Sequence, residues 1–127
     1  MTPDELKQRT RQFAVAIIRF RRRLPRTEES RTIGRQLLRA GTAVGAAYRA
    51  VCRCKSDPDF IAKLGTSIEE ADETGYWLEV LVEAGEVQPT AARDLLREAD
   101  ELTRIFVASR ETIRKRVRAK KSAKSRI

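Results

Sequence analysis

The chain of 127 residues contains no histidine, only two cysteines, four prolines and six glycines. Without histidine, no serine, threonine or cysteine has the usual base partner of a nucleophile. Cys52 and Cys54 are two positions apart, which places them on different faces of a helix and prevents a disulfide. We therefore predict that the protein is not an enzyme and that it uses no cofactor.

Carboxylates do occur at helical spacing, as Glu69 with Glu73 and Glu98 with Glu101. Iron-binding four-helix bundles combine such glutamates with Glu-x-x-His motifs that face the core. Since histidine is missing, that motif cannot be completed. We predict that these carboxylates lie on solvated faces and that the chain holds no metal site.

Long apolar runs are also absent. No segment approaches the roughly 20 apolar residues that a membrane-spanning helix requires. The first five residues are polar and acidic, unlike the basic and then apolar start of a signal peptide. We expect a cytoplasmic protein without membrane contact.

Four segments repeat apolar or small residues at alternating steps of three and four, and the period-two pattern of strands does not occur. The second segment carries this stripe at Ile33, Leu37, Ala40, Val44, Ala47, Val51 and Cys54. A mean spacing of 3.5 residues buries one face of a helix against neighbours at a shallow crossing angle. The length fits one domain. The sequence therefore predicts an all-α, antiparallel, up-down-up-down four-helix bundle.

Capping residues and prolines mark where the helices begin and end. Pro25 ends the first helix, Ser56 can cap the third, and Gly85 suits the left-handed position that ends it. The predicted helices span about 3–24, 28–54, 58–84 and 89–117. The remaining stretch, 118–127, is basic and has few apolar residues to bury, so we predict a flexible tail after a bundle over 1–117.

Two glycines lie inside the second helix, Gly41 and Gly45. Each costs about 1 kcal/mol relative to alanine in a helix interior, so their presence needs a reason. A phosphate-binding glycine loop would need a loop rather than a helix. We interpret both glycines as helix-packing positions where another backbone approaches closely.

The third segment has a second apolar row beside its main stripe, and an aromatic pair lies next to it. Tyrosine and tryptophan are enriched at protein interfaces. We interpret this row as an oligomer interface, with a plain core position as the alternative. The interface residues are Phe60, Tyr76, Trp77 and Leu81.

Positive charge is concentrated at the two ends of the chain. The net charge is +9, with +6 in residues 1–26, +8 in 110–127 and −5 between them. Such asymmetry favours an acidic partner, first of all RNA or DNA. The candidate nucleic-acid-binding residues are Arg19, Arg21, Arg22, Arg23, Arg26, Arg114, Lys115, Arg116, Arg118, Lys120 and Lys121.

Two alternatives account for the same charge, namely a solubilising role and compensation of a helix dipole. The phenylalanines and tyrosines are scattered and several lie on core rows, so they form no platform for stacking bases. Binding to nucleic acid should therefore be directed at the backbone and be weakly selective for sequence.

The second and third helices also resemble a known bacterial family. The matching stretches are GTAVGAAYRA at 41–50, KS at 55–56, DFIAKL at 59–64 and EADETGYWLE at 70–79. They are similar to the motifs of the four-helix-bundle proteins named after intervening sequences in 23S rRNA genes, and the likeness extends over roughly 10–115. Ala43 and Ala47 replace a serine and an asparagine that are usual in the family, so no role of those side chains is carried over.

The resemblance implies a left-handed bundle that forms a ring-like homopentamer without established enzyme activity. A related bundle is the accessory variability protein of diversity-generating retroelements, which binds reverse transcriptase and nucleic acid. We expect a non-enzymatic homo-oligomer that contacts RNA or DNA backbone through its basic ends. The alternative is a protein-interaction scaffold or an accessory subunit, for example of a reverse transcriptase, without direct nucleic-acid binding.

Overall fold

The computed structural model describes residues 1–125 and contains four helices. They are α1 (Pro3–Arg22), α2 (Glu28–Cys52), α3 (Asp57–Glu83) and α4 (Pro89–Ser125). Each helix packs against the next, and a smaller contact between α1 and α4 closes the bundle. No strand occurs between residues 1 and 125. The predicted all-α four-helix bundle is confirmed.

Contacts between neighbouring helices show that they run antiparallel. Gly41 lies against Ile17 and Gly45 against Thr10, so residue numbers rise on α2 as they fall on α1. Arg39, near the middle of α2, pairs with Glu70, near the middle of α3. Gly75 lies near Ala99 and Asp57 near Arg116, so residue numbers rise on α4 as they fall on α3. The N- and C-terminal ends of successive helices therefore alternate between the two ends of the bundle.

The first three helices begin at side chains that cap them. Thr2, Thr27 and Ser56 each accept a hydrogen bond from the backbone N–H three residues later, at 3.1, 3.0 and 3.3 Å. These bonds satisfy N–H groups that have no partner inside a helix. Gly85, with φ +76°, follows the end of α3 in the left-handed region, where glycine meets no Cβ penalty.

The predicted end of the fourth helix was wrong. α4 continues to Ser125, eight residues past the predicted end at 117, so a helix occupies 118–125 where we predicted a flexible tail. Nothing after Pro89 breaks the helix, and arginine, lysine and alanine all favour it. Ion pairs to Asp57 and Glu111 add support. The last two positions of the predicted tail, 126–127, lie outside the described residues.

The core is built from one side of each helix and includes two phenylalanines. Its largest fully buried side chains are Phe106, Ile17, Leu37, Leu64, Leu78, Leu81 and Leu102. Burying one such side chain stabilises the fold by about 1.5–3 kcal/mol relative to exposing it. On α3 the buried row is Leu64, Ser67, Ala71, Thr74, Leu78 and Leu81.

This row corrects the interface prediction for Leu81, whose side chain is 0% exposed. α3 packs against both α2 and α4, so its buried arc takes in a row that we assigned to an oligomer interface. A side chain that is fully enclosed within its own chain cannot contact a second copy. Leu81 is a core residue.

The outer surface is polar and unevenly charged. α1 and α2 together carry ten basic and four acidic residues, whereas α3 carries eight acidic residues and one basic residue. Within residues 1–125, no helix has an apolar stretch long enough to cross a membrane. One half of the bundle is therefore basic and the helix on its other side is acidic.

Candidate nucleic-acid interface

The predicted basic residues form two separate clusters at opposite ends of the bundle. The C-terminus of α1 lies with the α3–α4 connection, because Thr27 Oγ1 donates to Glu86 Oε1 at 2.7 Å. The C-terminal part of α4 lies at the other end, beside Asp57. A helix of 20 residues spans roughly 30 Å at 1.5 Å per residue, so the two clusters cannot act as one patch within a single chain.

We call the first cluster the arginine end, and its residues are Arg19, Arg21, Arg22, Arg23 and Arg26. The position of this cluster follows from the local sequence: the last turn of α1 is rich in arginine, and Pro25 ends the helix just after it. Arg21 is half-buried and the other four side chains are exposed. None of the five forms an ion pair with a residue of the described part of the chain. Their charges are therefore available to an external anion.

We call residues 110–125 the α4 extension; here half of the predicted cations are already paired. Arg116 and Lys120 reach the two carboxylate oxygens of Asp57 at 2.8 and 3.3 Å. Arg118 reaches Glu111 at 2.9 Å. Hydrogen bonds from these cations lower the pKa of both carboxyl groups below their ordinary values.

The other three predicted cations of the α4 extension are Arg114, Lys115 and Lys121. They form no ion pair within residues 1–125 and are exposed. Fewer charges are therefore free here than the sequence suggests.

Of the predicted interface residues, only Tyr76 is largely exposed, at 55%. Its ring lies edge-on to that of Trp77, with centroids 5.0 Å apart. Trp77 Nε1 donates to Glu73 at 3.3 Å, and the indole packs on the core, as Phe60 does. Tyr76 is thus the main apolar feature on this side of α3.

Tyr76 borders a groove between α3 and α4 with a volume of about 200 Å³. Its rim carries Asp72, Glu79 and Asp100. On the opposite side of the bundle, a groove of about 210 Å³ between α1 and α2 carries Lys7, Arg11 and Arg49. The two grooves have similar volumes and opposite charge. Neither was predicted, since each forms only when two helices pack together.

Gly41 and Gly45 lie at the closest approach of α1 and α2. A Cβ atom added at Gly41 would lie 2.8 Å from Ile17 Cγ1, and one at Gly45 would lie 3.0 Å from Thr10 Oγ1. Contacts below about 3.4 Å are tight for carbon atoms, whose optimum is 3.5–4.0 Å. The two glycines therefore set how closely α1 packs on α2, which in turn positions the arginine end.

The carboxylates of Glu98 and Glu101 are held by Arg9. The guanidinium donates to both oxygens of Glu98, at 2.6 and 2.7 Å, and lies 3.2 Å from Glu101. These bonds raise the pKa of Arg9 above its ordinary value. The cluster ties α1 to α4, a role that the spacing of the two glutamates alone did not indicate.

Comparison with known proteins agrees with the fold. The sequence model of the family described as 23S rRNA-intervening sequence protein matches residues 4–108. A crystal structure of a protein of unknown function from the S23 ribosomal protein family of Bacteroides thetaiotaomicron VPI-5482 is similar, with a TM-score of 0.80 and 28% identity. The similarity covers 87% of this chain and 99% of that one. No curated protein matches the chain. The chain belongs to the 23S rRNA-intervening sequence protein family.

Proposed function

We propose that this protein is a non-enzymatic, homo-oligomeric bundle that contacts the phosphate backbone of RNA or DNA through its basic ends. The observation that carries the proposal is the arginine end, whose five guanidinium groups have no acidic partner within residues 1–125. Phosphate contacts of this kind dominate affinity for nucleic acid. The family description refers to 23S rRNA, which favours an RNA partner and a cytoplasmic location.

The distribution of aromatic side chains supports a mode of binding without base recognition. Phe13 and Phe106 are buried, and Tyr48 packs against Phe106 with ring centroids 5.6 Å apart. Proteins that bind single strands tightly stack bases on exposed aromatic rings. Since the arginine end offers no such ring, its contacts should fix the phosphates and carry little sequence information.

The two oppositely charged grooves support assembly into a homo-oligomer. The face with the basic groove of one copy can pack against the face with the acidic groove of the next, because the two faces are oppositely charged and lie on opposite sides of the bundle. A head-to-tail contact of this type closes into a ring when the rotation between copies permits it. The family resemblance favours five copies. A ring would present five arginine ends together and raise affinity by avidity.

Binding should be tested with the full chain and a mixed-sequence RNA or DNA 20-mer across a salt series. We expect log affinity to fall linearly with log salt concentration, with a slope near −0.7 to −0.9 for each phosphate contact. An absence of binding at low salt would contradict the proposal. It would favour the alternative of a protein-interaction scaffold or an accessory subunit.

Assembly should be tested by light scattering, which should give five times the chain mass of 14.5 kDa. Reversing charge in one groove, with Lys7→Glu and Arg49→Glu, should weaken the oligomer. The matched reversal in the other groove is Asp72→Lys with Glu79→Lys. We expect a mixture of the two variants to restore a contact between unlike copies. A wild-type monomer at micromolar concentration would contradict the assembly.

A further inference from the structure

The arginine end contains a cavity that is open to solvent on one side. It has a volume of about 190 Å³ and lies between the last turn of α1 and the first turns of α2. It is lined by Arg21, Arg22, Leu24, Pro25, Arg26, Ser30 and Arg31. The volume is several times the share of about 30 Å³ that one water molecule occupies in the liquid. The cavity therefore has room for a small polyatomic anion.

Ser30, one of the lining residues, carries a buried hydroxyl group. Ser30 is 1% exposed, and its Oγ has no hydrogen-bond partner within residues 1–125. Its backbone N–H is already taken by the capping oxygen of Thr27 at 3.0 Å. A buried hydroxyl without a partner is costly. The geometry thus leaves one buried donor without an acceptor beside four arginines.

The local charge and the helix direction both favour an anion. Residues 21–31 contain five arginines and two glutamates, Glu28 and Glu29, which are both exposed. A third nearby carboxylate, that of Glu86, accepts a hydrogen bond from Thr27. The cavity also adjoins the positive end of the α2 dipole.

We propose that this cavity binds a phosphate group, with Ser30 Oγ and the guanidinium groups of Arg21, Arg26 and Arg31 as its donors. A phosphate offers several charged oxygens to a hydroxyl and to guanidinium groups at once, whereas a carboxylate offers two. This assignment rests on the proposed function in one respect, namely that the phosphate belongs to the backbone of a nucleic acid. Arg31 and Ser30 join the site although neither belongs to the predicted cluster.

Two matched pairs of variants test the cavity with inorganic phosphate at constant ionic strength. Ser30→Ala removes the buried hydroxyl of a lining residue, and Ser67→Ala removes another buried hydroxyl, on α3, that has no partner within residues 1–125. Both variants should be as stable as the wild type, or more so, without phosphate. Only Ser30→Ala should lose phosphate affinity, by about tenfold, as expected for a hydrogen bond to a charged group.

The second pair tests the guanidinium contacts. Arg31→Gln removes a lining residue, and Arg35→Gln removes an exposed arginine that lies one turn further along α2 and does not line the cavity. Only Arg31→Gln should weaken phosphate binding. Equal phosphate affinity of the wild type and Ser30→Ala, or of Arg31→Gln and Arg35→Gln, would overturn the site, as would wild-type protein that does not bind phosphate.

An oligonucleotide competition separates this site from the proposed function. Inorganic phosphate should displace the oligonucleotide from the wild type at constant ionic strength, and should do so less effectively from Ser30→Ala. Simultaneous binding of both ligands would overturn the assignment of the cavity to the nucleic-acid backbone. A third outcome is oligonucleotide binding that depends on salt and yet is unchanged both by added phosphate and by Ser30→Ala. That result would overturn the phosphate site in the cavity and leave the proposed function standing.

Discussion

The arginine end has five basic residues, none of them paired within residues 1–125, whereas the α4 extension has eight, of which three form ion pairs. At the arginine end the guanidinium groups have no acidic partner in the described residues, and a cavity with a buried hydroxyl lies among them. In the α4 extension, Arg116, Lys120 and Arg118 are held by Asp57 and Glu111. The number of basic residues in a cluster is therefore not a measure of the charge available to a partner.

The two clusters also differ in how they relate to the family. The arginine end lies inside residues 4–108, which the family model matches, whereas the α4 extension lies beyond that match. The arginine end depends on the packing of α1 on α2, and the extension depends on ion pairs to α3 and within α4. Changes at one end should therefore leave the other intact, which makes the two clusters separable by mutation.

The largest expected effect comes from disturbing the α1–α2 contact that positions the arginine end. In Gly41→Ala the new Cβ would lie 2.8 Å from Ile17 Cγ1, a fully buried side chain. Overpacking of this kind costs about 1–3 kcal/mol, measurable by chemical denaturation. Gly65→Ala is the control, because a Cβ there meets nothing within 4 Å. It should stabilise the protein by up to about 1 kcal/mol. Equal gains in both variants would contradict the tight contact.

The second prediction compares how the two clusters contribute to nucleic-acid binding when each loses the same charge. Each triple glutamine variant lowers the net charge from +9 to +6. The arginine-end variant changes Arg21, Arg22 and Arg26, and the extension variant changes Arg116, Arg118 and Lys120. Loss of three free phosphate contacts should reduce the slope of log affinity against log salt by about 2–3. The extension variant should change it by less than about 1, because its cations are paired. Equal salt slopes for the two variants would show that the paired cations of the α4 extension contribute as much as the free ones of the arginine end.

Local sequence was sufficient to predict most of the fold. The first three helices end within two residues of their predicted bounds, because heptad stripes, capping residues and prolines act over a few positions. The prediction that Leu81 lies at an oligomer interface was wrong because burial at this position depends on tertiary packing. Which of two apolar rows on α3 is buried depends on the helices on both sides of it, and sequence spacing does not contain that information.

The features that sequence could not predict depend on residues far apart in the chain. The helical state of 118–125 is supported by Asp57, which is 59 residues before Arg116. The low apolar content of this stretch indicated a tail, and no local signal shows the ion pair. The phosphate cavity needs Ser30 to face arginines from the preceding helix across a turn. The basic residues themselves were predictable, but their pairing was not.

Truncation after Val117 should have a smaller effect than the arginine-end variant. It removes Arg118, Lys120, Lys121, Lys124 and Arg126, and lowers the net charge from +9 to +4. Of the removed cations that the structure describes, only Lys121 and Lys124 form no ion pair. Lys121 and Lys124 together account for a fall of about 1.5 in the salt slope, whereas five free contacts would give a fall of roughly 4. A fall of the larger size would show that the paired cations leave their partners to bind phosphate.

The smallest expected effect concerns the ion pairs that hold the α4 extension against α3. Hydrogen bonds from Arg116 and Lys120 lower the pKa of Asp57 below 3.8. The carboxyl group therefore gains a proton more readily when the contact is broken than when it is made. The stabilisation is fully present above the pKa of the free group and is lost as pH falls through the lower pKa of the paired one. Carbon chemical shifts for residues 116–125 should thus lose part of their helical character as pH falls from about 5 through the lowered pKa of Asp57.

The variant Asp57→Asn separates the contact of Asp57 with Arg116 and Lys120 from the ion pair between Arg118 and Glu111. The pKa of Glu111 is also lowered. The variant removes the charge that Arg116 and Lys120 contact, so its extension should be less helical at neutral pH and should retain only the part of the titration that belongs to Glu111. Glu111→Gln is the matched variant and should retain the part that belongs to Asp57. If wild type and Asp57→Asn titrated identically, Asp57 would not hold the extension. Arg116 and Lys120 would then count as free cations, and the contrast between the two ends of the bundle would narrow.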